Sequence, residues 1–511
     1  RGPIGYAANA DWGGVSSKNQ NIQRKPGKNI GDTNWLDQTQ SNTSNISLTW
    51  ENVYDGDMTV TSTDTNSNGI CDNLEATMVG FGIPPVGFLA GNGNIYTWDD
   101  TNKKVVNNTS GDTDYSADAE PTASTIKPLF VAKGGLFLLD NGLQFPSIEV
   151  ASGASLTIGS GNDVTVDNSL DSDSYNAGDF INNGSVTMNS TSSSFSSLII
   201  KGDATGNITY NRWVNSVSNS SPSDANPGWD LVGSPVLSGT LDPTTLATSG
   251  SNYGILPFDN SSTSNGSFTN TTSSSTFTTS TGVGYAMAKG TAGTVAFTGV
   301  PNTYTNTNVA ITNNANTSGT HWNLVANPFP AFLALNTNTV NNSSATSSFL
   351  WYNAVSVDVL GNSGFDEGIW YWDGTDYIAK NNSSSGNLYA APGQAFFVSA
   401  ENASANLSFR TGNITTQASI GSGDDFIAGD DLNENKAEIH ISAMQNLLGN
   451  STEIYFNEFG SDGLNEGYDT RSFPSAVNRI YSRLVENDPG VNLAIQTLSF
   501  DEMWDKTIPI G

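Results

Sequence analysis

Twelve residues hold the strongest cation-binding spacing in the sequence: Asp64-Thr65-Asn66-Ser67-Asn68-Gly69-Ile70-Cys71-Asp72-Asn73-Leu74-Glu75. A hard cation such as Ca2+ takes six to eight oxygens, and a twelve-residue loop supplies them from fixed positions around a glycine at the sixth. Asp64, Asn66, Asn68, Asp72 and Glu75 place side-chain oxygens at positions 1, 3, 5, 9 and 12, Ile70 lends its backbone carbonyl at position 7, and Gly69 permits the sharp turn. The spacing predicts a calcium loop. Asn stands where Asp is usual at two positions, so the affinity falls toward the millimolar range of extracellular calcium and the role is structural. Residues 60–63 read as strand, and Gly80, Gly82, Pro84 and Pro85 follow the loop, which argues against a paired helical hand.

No catalytic constellation emerges from the remaining residue types. His321 takes the place that Gly228 holds in a related stretch, and His440 lies on an alternating strand beside Glu438 and Ser442. Two distant imidazoles and one non-motif thiol, Cys71, do not make a triad or a zinc site. The acid pairs Asp366-Glu367, Asp424-Asp425 and Asp430-Asp431 sit in Gly-rich stretches as solvent-facing charge, whereas glycoside hydrolysis needs two carboxyls converging on a cleft. Trp370, Tyr371 and Trp372 have the rings for a sugar-stacking platform, but alternation sends Trp370 and Trp372 to one face and predicts core packing. We therefore expect a protein that is not an enzyme.

The elements that must position such residues are strands. Ser, Thr, Asn and Gly separate short runs of strand formers, helical-period runs are nearly absent, and aromatic residues at 10% supply enough apolar surface for ordered cores. The fold class expected is all-β. Gly228-Trp229-Asp230-Leu231-Val232-Gly233-Ser234-Pro235 returns as His321-Trp322-Asn323-Leu324-Val325-Ala326-Asn327-Pro328, each an alternating strand that ends in a turn. The signals that follow also correspond. Gly254-Ile255-Leu256-Pro257-Phe258-Asp259 is answered by Gly368-Ile369-Trp370-Tyr371-Trp372-Asp373, and Gly284-Tyr285-Ala286-Met287-Ala288 by Gly393-Gln394-Ala395-Phe396-Phe397-Val398. Between them lie variable tracts, 259–282 and 373–391, placed as surface hairpins or loops.

Five segments result. Residues 1–85 form an extended N-terminal segment with the calcium loop, and 86–215 a β domain whose tiny strands predict a short solenoid-like (β-helix) stretch over 135–215, with a meander in a sandwich as the alternative. Residues 216–310 and 311–415 are duplicated antiparallel β modules, and 416–511 is a C-terminal β-sandwich, incomplete within the chain, whose last strand-like run, Ile508-Pro509-Ile510-Gly511, leaves an open edge.

Lys and Arg number 19 against 49 Asp and Glu, for a net charge of −30. With no clustered cations beyond Arg24, Lys25 and Lys28, a nucleic-acid partner is excluded. A single cysteine rules out an internal disulfide framework, and no apolar run approaches the ~20 residues of a membrane helix, so membrane insertion is not expected.

The calcium loop resembles those of thrombospondin type 3 and dockerin-like repeats. From about residue 130 onward the chain resembles the large proteins that gliding and related Bacteroidetes export through the type IX secretion system. The resemblance rests on 228–235 and 322–330, on Gly153-Ala154-Ser155-Leu156-Thr157-Ile158 with Gly184-Ser185-Val186, and on Ile454-Tyr455-Phe456 with Gly467-Tyr468-Asp469. Leu493-Ala494-Ile495-Gln496 followed by Ile508-Pro509-Ile510-Gly511 also carries it. It implies export across the outer membrane and an extracellular or cell-surface location, among adhesins, filament and surface-layer components, and enzymes with added domains. The expected function is a structural or adhesive surface protein that associates with itself or with other surface proteins, in one form a fibre subunit completed by strand exchange. The alternative is a carbohydrate-binding accessory part of a secreted polysaccharide-degrading enzyme, with a glycan ligand.

Overall fold

A computed structural model describes strands at Asp11–Trp12, Val15–Ser16, Asn21–Arg24, Trp50–Tyr54, Tyr96–Asp99 and Lys104–Asn107. It then describes residues 129–511 apart from 140, 168–178, 218–227, 264, 316–318, 336–367, 373–376, 382, 385–387, 401–403, 410, 417–425, 429–436, 446–447, 466 and 474–479. Among the described residues the protein is all-β, its helices being 3-10 turns at Pro243–Thr245, Thr411–Asn413 and Phe500–Asp505. No helix there is long and apolar enough to cross a membrane. The residues fall into two compact units, one of Arg1–Thr157, Val164–Val186 and Ile200–Gly206, the other of Ile158–Asp163, Thr187–Ile199 and Asn207–Gly511.

In the first unit, strands of two to five residues pair in parallel. Ile148–Val150 lies between Leu129–Lys133 and Phe180–Asn182, which in turn pairs with Ala204–Thr205. Leu143, Gln144 and Phe145 pair in parallel with Val164, Thr165 and Val166. Each strand thus tends to meet the one three strands later in the chain. Strands this short bury too little surface to stand as isolated hairpins. Leu143, Phe145, Ile148, Val150, Val164, Val166 and Phe180 all point inward and are fully buried. In the same sheet Tyr96–Asp99 lies parallel to Leu129–Lys133, and Lys104–Asn107 is its antiparallel partner at the edge.

The second unit contains the repeat. In the first copy Asp230–Gly233, Gly284–Met287, Ile255–Asp259 and Ser267–Phe268 form a sheet in that spatial order; in the second, Trp322–Ala326, Ala395–Ser399, Ile369–Trp372 and Tyr377–Lys380 do the same. In both copies an outer strand pairs antiparallel with the last strand of the module: Ile208–Val214 with Gly293–Pro301, and Thr307–Ile311 with Ala405–Phe409. The first of these outer strands precedes residue 216, so the pairing of copy one begins earlier than the sequence pattern suggests. Register also shifts one correspondence: Gly233 faces Gly284 while Ala326 faces Ala395, which aligns Gly282, not Gly284, with Gly393.

In the C-terminal segment the described residues hold one mixed sheet, ordered Ala437–Gln445, Leu448–Asn457, Leu493–Ser499 and Thr470–Arg471. The middle pair is parallel. Phe426–Ala428 does not join this sheet but pairs with Leu388–Ala390 of the second module. The run expected to leave an open edge is paired: Tyr481 and Gly511 exchange backbone hydrogen bonds, and the Arg483 N–H donates to Pro509 O at 3.0 Å.

Candidate functional site

The proposed calcium ligands Asp64, Asn66, Asn68, Ile70, Asp72 and Glu75 lie outside the described residues, as do the acid pairs at 366–367, 424–425 and 430–431. His321 packs its ring against Trp322 with centroids 5.0 Å apart. His440 is exposed, with Glu438 Oε1 3.7 Å and Glu453 Oε1 3.8 Å away. Among the described residues no group of three or more His, Cys, Asp or Glu side chains is placed to hold a metal ion. Trp370 is buried and Trp372 half-buried, both in a cluster with Trp322, Phe397 and Phe473. The variable tracts carry short strands of their own, Ser267–Phe268 and Phe277–Thr278 in one, Tyr377–Lys380 and Leu388–Ala390 in the other.

What the structure does assemble is a set of interlocks. The two modules exchange equivalent backbone contacts. Gly233 N donates to Gly393 O and Ala326 N to Gly282 O, each at 2.8 Å. Val232 bridges Gln394 as Val325 bridges Val283. Interchanging the modules therefore leaves the contacts unchanged. Gly282 and Gly393 adopt positive φ of 72° and 70°, a region where glycine is free of steric cost. The paired Trp-containing runs repeat their side-chain roles too. Asp230 Oδ2 accepts from Asn215 N, and Asn323 Oδ1 from Thr312 N, so each ties its strand to the end of the module's outer strand. Ser234 Oγ and Asn327 Oδ1 each accept the N–H two residues on, capping the turn.

Arg212 sits across this junction. The strand Ile208–Val214 alternates buried and half-buried positions, and Arg212 takes a buried one. Its Nε donates to Pro392 O at 2.8 Å and its Nη2 to Gln394 Oε1 at 2.9 Å, while the guanidinium lies 4.5 Å from the centroid of the Phe195 ring. A wholly buried cation is tolerated only when its donors are satisfied, and these partners do much of that. Sequence reasoning missed Arg212; a charged residue at the apolar phase of a period-2 run was its signal.

A second interlock joins module two to the C-terminal sheet. Asn381 Nδ2 donates to Tyr468 O and Thr470 Oγ1, both at 2.8 Å. The hydroxyls of Ser383 and Thr497 lie 2.6 Å apart, and Asn457 Nδ2 donates to Ser383 Oγ. Beside them Asp469 is fully buried. Its Oδ1 accepts from Thr497 N at 2.6 Å and its Oδ2 from Asn465 N at 2.7 Å. Burial pushes this carboxyl up to about 7 against the opposing pull of those N–H donors. Phe473 completes the junction, its ring 5.1 to 5.5 Å from those of Trp322, Trp370, Tyr377 and Phe397. Burying such a ring is worth about 1.5–3 kcal/mol.

The C-terminal sheet ends on the strand Ala437–Gln445, nine residues long, which among the described residues pairs only with Leu448–Asn457. Their register runs without a bulge from Ala437↔Phe456 to Gln445↔Leu448. The outer backbone edge of this strand carries the hydrogen-bonding groups that a further strand takes up.

Residues 140–511 match a family described as a domain of unknown function, DUF8693. No curated protein and no solved structure matches the chain. The matched stretch takes in the duplicated modules, their interlocks and the mixed C-terminal sheet, well over half of the 511 residues. This chain is a member of the DUF8693 family.

Proposed function

We propose that the protein is a non-enzymatic structural or adhesive component of the extracellular space or cell surface, a subunit that assembles by strand addition. The observation that carries this reading is the nine-residue edge strand Ala437–Gln445 on a body whose three segments are interlocked by buried groups. Strand addition gives affinity through backbone hydrogen bonds and needs a rigid, preformed edge, which the interlocks supply. The carbohydrate-binding alternative draws no support from Trp370 and Trp372, whose rings belong to a packed cluster. Electron microscopy of the native protein, with light scattering of the purified full chain at high concentration, is expected to show filaments or ordered oligomers. A dispersed monomer at every concentration, with calcium present, counts against assembly.

Calcium completes the proposal through the loop from Asp64 to Glu75, whose spacing is its support. A stabilising ion acts only when supplied, by mass action on the folded state. Asp64→Ala is expected to lower the melting temperature in calcium and to leave it unchanged in chelator; an equal loss in both removes the ion from the proposal.

A further inference from the structure

We infer that the strand Ala437–Gln445 is the contact by which a second copy of this chain docks, edge to edge and antiparallel, about a two-fold axis at Ile439. The inference rests on the assembly reading above and names its first contact. Successive side chains of a strand point to opposite faces, so Ala437, Ile439 and Ile441 share one face and Glu438, His440 and Ser442 the other. On the first face Ala437 and Ile441 pack beside Ile454, Phe456 and Leu498, whereas Ile439, opposite Ile454 in the register, keeps 45% of its surface exposed. On the second, Glu438 and His440 are both exposed and stand within 3.7 Å of one another.

Natural edge strands are commonly guarded by lysine, proline or a bulge. This one has no lysine and no proline, and its register with Leu448–Asn457 is regular. Two-fold antiparallel pairing about Ile439 sets Ile439 against Ile439 of the second copy, Ala437 against its Ile441, and Glu438 against its His440. The apolar surface left open in one copy is then covered by the same residue of the other. The acid and the imidazole become cross-strand partners twice over, the complementarity an isologous contact demands. An axis at His440 instead sets imidazole against imidazole and Glu438 against Ser442. An axis at Ile441 sets Glu438 against Met444. Neither pairs the acid with the base.

The test uses the full chain with its single cysteine replaced, Cys71→Ser, in solution without additives other than calcium and an oxidant. Ile439→Cys places two thiols on the axis, and either antiparallel pairing distance, about 4.5 or 5.5 Å between Cα atoms, permits a disulfide. It is expected to cross-link to a dimer. Ser442→Cys, which the same axis keeps about 20 Å from its counterpart, is expected to stay uncross-linked. Both positions are exposed in the single chain, so neither change disturbs the core. Without cross-linking, His440→Glu sets like charges opposite each other and is expected to weaken the dimer about tenfold, and adding Glu438→His restores it. Equal cross-linking at both positions, or a dimer indifferent to the charge changes, overturns the inference. Filaments seen by microscopy without cross-linking at Ile439→Cys overturn this contact but leave the assembly reading standing, while dispersed monomers overturn both.

Discussion

At Asp469 burial and hydrogen bonding pull in opposite directions, and burial wins. The carboxyl is held up to about 7 instead of its ordinary 3.8 although two backbone N–H groups donate to it. A raised value means that the fold binds the proton more tightly than the unfolded chain does. The stability this group contributes is therefore complete below about pH 4 and is lost as the pH rises through about 7. Unfolding in denaturant is expected to show a decline on the order of 2–3 kcal/mol between about pH 5 and about pH 8. Asp469→Asn, which cannot ionise, is expected to flatten that slope while lowering stability at acid pH, because an amide nitrogen cannot accept an N–H. An unchanged slope in the variant assigns the pH dependence elsewhere. Nothing local in Gly467-Tyr468-Asp469 announces this, since Thr497, whose N–H donates to the carboxyl, lies 28 positions later in the chain, and Asn381 of module two, which binds the neighbouring Tyr468, lies 87 positions before that residue. Only residues that break an alternating pattern, as Arg212 does, carry such information within their own strand.

At the scale of the strand, the sharpest constraint falls where the two modules meet. A Cβ on Gly233 would lie 2.3 Å from the Cβ of Ala326 and 2.5 Å from Val283 O, and backbone on one side leaves little room to yield. Gly233→Ala is expected to destabilise the full chain by about 1–3 kcal/mol, as overpacking does. Adding Ala326→Gly removes one of the two close contacts and is expected to recover part of that loss. A double variant no better than the single one would mean that the two positions do not meet. The repeat itself was legible, because the Trp-containing runs and the strands after them follow one another in matching order. The position of the outer strand Ile208–Val214 was not, because its partner Gly293–Pro301 lies far along the chain and alternation names no partner. For the same reason the parallel pair Leu448–Asn457 and Leu493–Ser499 read from sequence as strands of a sandwich, though one mixed sheet is what the described residues form.

Across the whole molecule a net charge of −30 opposes any assembly of identical copies. Repulsion between exposed charges is screened over about 8–10 Å at physiological ionic strength, so the ordered oligomers expected above should be favoured by salt and by calcium. Composition foretold the all-β architecture; it said nothing of how the modules grip one another. That grip has a consequence for the lineage of the chain. A pair of identical subunits joined about an axis must place the same residue on both sides of it, glycine against glycine or alanine against alanine. One polypeptide carrying both copies escapes this requirement and sets Gly233 against Ala326. It also holds its halves together at any dilution. Each copy is then free to acquire substitutions that the other compensates, whereas Gly282 and Gly393, whose carbonyls accept across the joint, are held in both.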